Sequence, residues 1–189
     1  EALSVVELPE TIQSIGDKAF SGCSSLAELK LPDSVYEIGS DAFSGCAFAY
    51  VDLPENLTTI ADGLFNNCAQ LTGINMPNIT SIGSHAFQNC VNLSSILIPS
   101  TVTDVGTMVF MGCDSLVTAG PVGEGYDIEI ALTNAIPENM FSYCDSLETI
   151  VIPAGITSIG RSSFYSCDNL SSISIPGSVV SIASGAFLD

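Results

Sequence analysis

Leu26-Ala-Glu-Leu29-Lys-Leu31-Pro32-Asp-Ser34-Val35-Tyr-Glu-Ile38-Gly39-Ser-Asp-Ala42-Phe43-Ser-Gly45-Cys46 decides the fold, because the chain repeats it. Cysteines stand at 23, 46, 68, 90, 113, 144 and 167, spaced by 23, 22, 22, 23, 31 and 23 residues. A phenylalanine precedes each by three positions, and Phe187 opens one more copy. Self-similarity at a period of about 20–50 residues is the signature of a solenoid, in which each unit buries its apolar face only against its neighbours.

Within a unit, Leu29 and Leu31 flank one outward residue, so they share one face of a short strand. Copies of that strand stack into a parallel sheet. Proline follows at 9, 32, 54, 77, 99, 153 and 176. It lacks an N–H and fixes φ, so it ends the pairing and starts a turn. Thr11, Ser34, Asn56, Thr101 and Ser178 come two residues later, placed to bond turn backbone that is otherwise buried and unpaired. On the return path, Asp17, Ser40, Asp62, Ser84, Thr107 and Ser184 read as caps before Ala-Phe-x-x-Cys. Ala and Cys four apart predict one capped helical turn with Ala, Phe and Cys inward. The chain therefore reads as a single α/β-type repeat solenoid over 1–189: about eight copies, the first and last partial, within a longer protein.

The motif carried by Leu31-Pro32-Asp33-Ser34-Val35, Ile38-Gly39, Ala42-Phe43 and Gly45-Cys46 resembles the BspA-like, or treponemal-type, leucine-rich repeat family. The resemblance covers essentially the whole chain outside an insertion near 119–133. It implies a right-handed superhelix with the parallel sheet on its concave face and short helical turns on the return path. It also implies a cell-surface or secreted location and, for some members, adhesion. The family brings no shared catalytic residues.

Charge narrows the partners. Twenty-one acids face three cations, Lys18, Lys30 and Arg161, for a formal net charge of −18. Nucleic acid and anionic lipid both demand a basic footprint, which three cations do not supply. No apolar run reaches membrane-spanning length. One cysteine per coil, always in the same slot, reads as a ladder of buried free thiols, although neighbouring coils lie within disulfide reach. No CxxC pair exists and His85 is the only histidine, so neither a metal nor a cofactor is expected. His85 falls in a variable slot shared with Lys18 and Asp41, expected to face solvent, and no triad forms around it. No catalytic residue is assigned.

A partner, protein or glycan, is expected on the sheet's outward positions. The early coils offer Glu28, Lys30, Tyr50, Asp52 and Asn75 there. The insertion offers Tyr126, Asp127 and Glu129, where Tyr126-Asp-Ile-Glu-Ile130 alternates as a strand does. Two readings stay open: a binding or adhesion module, or a passive spacer within a larger surface protein.

Overall fold

A computed structural model describes residues 3–132 and 134–189. Each coil carries two short strands. In chain order these are β1 Val5–Val6 and β2 Ser14–Ile15, then β3 Glu28–Leu29 and β4 Glu37–Ile38. Next come β5 Tyr50–Asp52 and β6 Thr59–Ile60, β7 Gly73–Asn75 and β8 Ser81–Ile82, β9 Ile96–Ile98 and β10 Asp104–Val105. The insertion contributes β11 Thr118–Pro121 and β12 Ile128–Ile130, followed by β13 Ala135–Ile136. The last coils hold β14 Thr149–Val151 and β15 Ser158–Ile159, then β16 Ser172–Ser174 and β17 Ser181–Ile182. Every pairing is parallel, and all but that of β11 with β12 join one coil to another. The first strands of the coils build one ladder and the second strands another, each in three hydrogen-bonded runs.

The core lies between these ladders and the return path. Phe20, Phe43, Phe65, Phe87, Phe110, Phe141, Phe164 and Phe187 form one column, with neighbouring ring centroids 5.2–6.0 Å apart and planes within 22°. Near-parallel rings at this spacing gain dispersion while avoiding a direct face-to-face clash of quadrupoles. The thiols sit beside the column. All seven cysteines are free, and six are buried. Cys46, Cys68, Cys90, Cys113, Cys144 and Cys167 each donate Sγ–H to the phenylalanine carbonyl of the preceding coil, at 3.0–3.2 Å. The slot thus requires a small apolar group that carries one donor.

The return path is not helical, contrary to the sequence expectation. Lys18, Asp41, His85, Met108, Asn139 and Ser162 have φ of 49–60°, and Gly63 and Gly185 occupy the same slot at 63° and 66°. Four residues on, Gly22, Gly45, Asn67, Asn89, Gly112, Tyr143 and Ser166 are left-handed as well. A helix needs right-handed backbone at each of these positions. The donors explain the preference. Ala19, Ser21 and Cys23 donate back three residues, whereas Lys18, Phe20 and Gly22 donate to the next coil at 2.7–2.9 Å. Alternating reverse turns send half of the N–H groups across to a neighbour, and a helix would keep them all. The residues read as caps serve the same stacking: Asp17 Oδ1 accepts from Ser40 N and Asp62 Oδ1 from Ser84 N, both at 2.8 Å. His85 is likewise partly buried rather than free in solvent, with Nδ1 2.7 Å from Gln88 Oε1.

Three of the turn residues bond turn backbone as expected, and Ser178 Oγ accepts from Gly155 N at 3.3 Å. Ser34, Asn56 and Thr101 donate to the carbonyls of Ile12, Asp33 and Ile79 one coil earlier, at 2.5–2.7 Å.

The insertion changes the ladder count. β12 lies between β9 and β11, so the first ladder there runs β9-β12-β11-β14-β16. The chain advances past one place with β11, turns, and fills the gap with β12. Among the described residues the first ladder has nine strands and the second has eight. The phenylalanine column does not register the extra strand, since Phe110 still stacks on Phe141 at 5.8 Å. One strand spacing of ~4.8 Å is therefore added on one side of the coil only.

Candidate binding face

Tyr50 begins the site. It opens β5 in register with Gly73 of β7, and Asp52 pairs with Asn75. A Cβ on Gly73 would lie 3.2 Å from Tyr50 Cε2, so the ring rests on bare backbone. Tyr126 repeats the arrangement on Gly120, where an added Cβ would collide with the ring. Each glycine lets an aromatic ring lie flat across the sheet instead of standing off it.

These two rings wall one groove of about 300 Å³, with Leu97, Asp127 and Glu129 also lining it. Candidates from the early coils and from the insertion, far apart in sequence, thus meet on one surface. Placing β12 beside β9 brings them together, with Glu129 in register with Leu97. Tyr50 is 57% exposed and Leu97 46%. Leu97 was not among the residues expected from sequence, although an apolar side chain following Glu7, Lys30, Asp52 and Asn75 in one slot was a signal for it.

The carboxylates divide their work. Asp127 Oδ2 accepts from Val117 N, Thr118 N and Thr118 Oγ1 at 3.0, 2.9 and 3.2 Å. Thr118 Oγ1 in turn accepts from Asp127 N at 3.1 Å, and Ile96 N donates to the Asp127 carbonyl at 2.7 Å. Asp127 therefore clamps the insertion onto the sheet. Glu129 accepts from Gly125 N at 3.2 Å, and Tyr126 Oη donates to Glu124 at 3.5 Å.

Glu28, Lys30, Tyr50 and Asp52 line a second, wider opening of about 620 Å³. It lies between β3 and β5, where the first ladder is unpaired. The β5 coil is one residue short there: Phe48, packed edge-on against Phe43 at 5.6 Å, takes the inward place that Leu26 and Leu71 fill elsewhere. Tyr50 forms a wall of both openings. Lys30 reaches Glu10 at 4.0 Å with both side chains exposed, a contact that solvent screens. Asn75 is exposed beside Asp52 and lines neither opening.

The surface offers aromatic faces and an aliphatic side chain beside carboxylates. That set stacks on sugar rings, aliphatic chains or guanidinium groups and attracts cations. Among the described residues no group of three His, Cys, Asp or Glu side chains is arranged to hold a metal ion, and no helix is long and apolar enough to cross a membrane. The thiols are unsuited to nucleophilic work. Burial pushes Cys46 up to about 11 and Cys68 and Cys167 up to about 12, and it raises Cys90, Cys113 and Cys144 also.

Comparison with known proteins agrees with the architecture. The chain is 30% identical to a leucine-rich cell surface protein from Faecalibacterium prausnitzii, with a TM-score of 0.60 over 96% of the chain and 57% of that protein. It is 26% identical to the T. pallidum leucine-rich repeat protein, at a TM-score of 0.62 over 93% of the chain and 71% of that protein. The pneumococcal vaccine antigen PcpA shares the fold at 20% identity and a TM-score of 0.65, over 90% of the chain and 50% of that protein. The chain thus spans little more than half the length of the F. prausnitzii protein. Among curated proteins none matches its sequence. The model of the BspA type leucine rich repeat region matches in six copies, over residues 2–117 and 131–189, and the stretch between them forms β11, β12 and the turn that joins them. This chain belongs to the BspA-type leucine-rich repeat family.

Proposed function

We propose that the chain is a non-catalytic binding module of a cell-surface or secreted protein, holding a protein or glycan partner on its strand face. The observation that carries this reading is the convergence of Tyr50, Leu97 and Tyr126 on one groove beside Asp127 and Glu129. Tyrosine is among the residue types that dominate binding hot spots, and here Tyr50 is exposed on β5 with Tyr126 just before β12. The likeness to a bacterial cell surface protein supports the location.

The test is retention of the purified chain on immobilised extracellular-matrix proteins and glycans, wild type beside Tyr50→Ala/Tyr126→Ala. Tyr50 is exposed and Tyr126 half-buried, and neither belongs to the buried core, so the double variant keeps its circular dichroism. At least one immobilised partner retains the wild type and loses the variant by about ten-fold or more, the effect of removing one hot spot. Equal retention of both proteins, or of neither, overturns the reading and leaves a spacer.

A further inference from the structure

The additional strand of the first ladder leaves an opening in the second. β10 pairs only with β8 and β13 only with β15, and among the described residues no main-chain hydrogen bond joins β10 to β13. The sequence enforces the break. Gly83, Gly106, Gly160 and Ala183 each donate N–H to the isoleucine carbonyl of the coil before, at 2.7–2.9 Å. Pro137 occupies this slot in the β13 coil and has no N–H to give to Val105. Val105 shows the consequence. Its counterparts Ile60, Ile82, Ile136 and Ile159 are at most 1% exposed, whereas Val105 is only partly buried. A cleft of about 400 Å³ lies here, lined by Val105, Leu132, Ala135 and Pro137, with Asp104 and Glu138 among its exposed residues and no basic residue in its lining.

We propose that this cleft is a strand-insertion site, which takes an extended, basic-flanked segment of a partner polypeptide between β10 and β13. Three features select that occupant over a compact small molecule. The second ladder has one strand fewer than the first, and β10 and β13 face each other across the cleft without pairing. Its two walls are open strand edges, whose main-chain groups an extended chain satisfies in sequence. An occupant parallel to its neighbours supplies the donor to Val105 that Pro137 lacks and sets an apolar side chain against Val105. Asp104 and Glu138 beside the cleft favour lysine or arginine flanking that side chain. Strand addition here is separate from the tyrosine groove and does not rest on it.

The neighbouring rungs supply the probe. Ile79-Thr-Ser-Ile-Gly83 and Ile156-Thr-Ser-Ile-Gly160 are the same five residues. A dye-labelled, capped Lys-Ile-Thr-Ser-Ile-Gly-Lys peptide is titrated with the full 189-residue chain by fluorescence anisotropy. Saturable binding is expected below about 1 mM. N-methylation of the central serine and isoleucine amides removes two strand donors and weakens binding by about ten-fold or more. Asp104→Lys, a surface exchange that keeps the fold, weakens the Lys-flanked peptide and favours a Glu-flanked one. Tyr50→Ala/Tyr126→Ala leaves peptide binding unchanged, which tells failure here from failure of the strand-face reading. No saturation up to that concentration, or binding indifferent to N-methylation, overturns the proposal.

Discussion

Raising the pH should unfold this protein through its thiols. Cys68 and Cys167 titrate near 12 in the fold because burial disfavours the thiolate, against an ordinary value of 9.0. Cys46 titrates near 11. A native value above the unfolded one gives stability that is complete below the unfolded value and lost as pH rises toward the native value. The window therefore opens near pH 9 and closes near 11–12. At pH 10 the unfolded thiol is mostly ionised and the folded one is not, a loss of about 1 kcal/mol for each well-buried thiol. The buried thiols together lose several kcal/mol, a large part of the stability of an ordinary domain. Urea denaturation followed by circular dichroism at pH 8 and pH 10 measures the loss. Cys68→Ser keeps a donor for the Phe43 carbonyl but does not ionise in this range. It should lower stability at pH 8 yet recover about 1 kcal/mol of the loss on going to pH 10. An equal alkaline loss in wild type and variant would refute the reasoning.

Other substitutions probe other parts of the account. Lys18→Gly relieves a left-handed, exposed backbone position with φ of 57° and should stabilise by about 1 kcal/mol, while Lys18→Val should destabilise, both read from thermal melts. Phe87→Ala opens the middle of the ring column and should cost about 3–5 kcal/mol by urea titration. Asp127→Ala removes the acceptor of three hydrogen bonds and should cost about 2 kcal/mol, with faster amide exchange at Val117 and Thr118. Gly120→Ala places a methyl where the Tyr126 ring lies and should weaken partner retention while leaving the circular dichroism intact.

Which features were legible depended on whether a residue's role was local. Phe43 and Cys46 recur in register with every other copy, so the ring column and the thiol slot follow from spacing alone. Ala-Phe-x-x-Cys misled because its four-residue spacing suits both a helical turn and a pair of reverse turns. Gly22, Gly45 and Gly112, with Asn67 and Asn89 in the same slot, were the readable sign of left-handed backbone. Lys18, His85 and Met108 hid the other slot, since such residues seldom adopt it. The alternation in Ile128-Glu-Ile130 announced a strand but not its neighbours. Strand order depends on contacts between distant segments, and the local pattern is silent on them. Pro137 in place of the usual glycine was the mark of the broken second ladder. Tyr50, Tyr126 and Glu129 were found as separate candidates, and only the position of β12 unites them.

That position carries both functional readings, and a cross-link measures it most directly. Glu129 is in register with Leu97 on one side and Gly120 on the other, and β11 separates it from β14. Leu97→Cys/Glu129→Cys places one exposed and one half-buried thiol on adjacent parallel strands, within disulfide reach. Mild oxidation should close that bridge, seen by mass spectrometry, and should leave Glu129→Cys/Val151→Cys open. Closure of the second pair in place of the first would put β12 beside β14 and contradict the account.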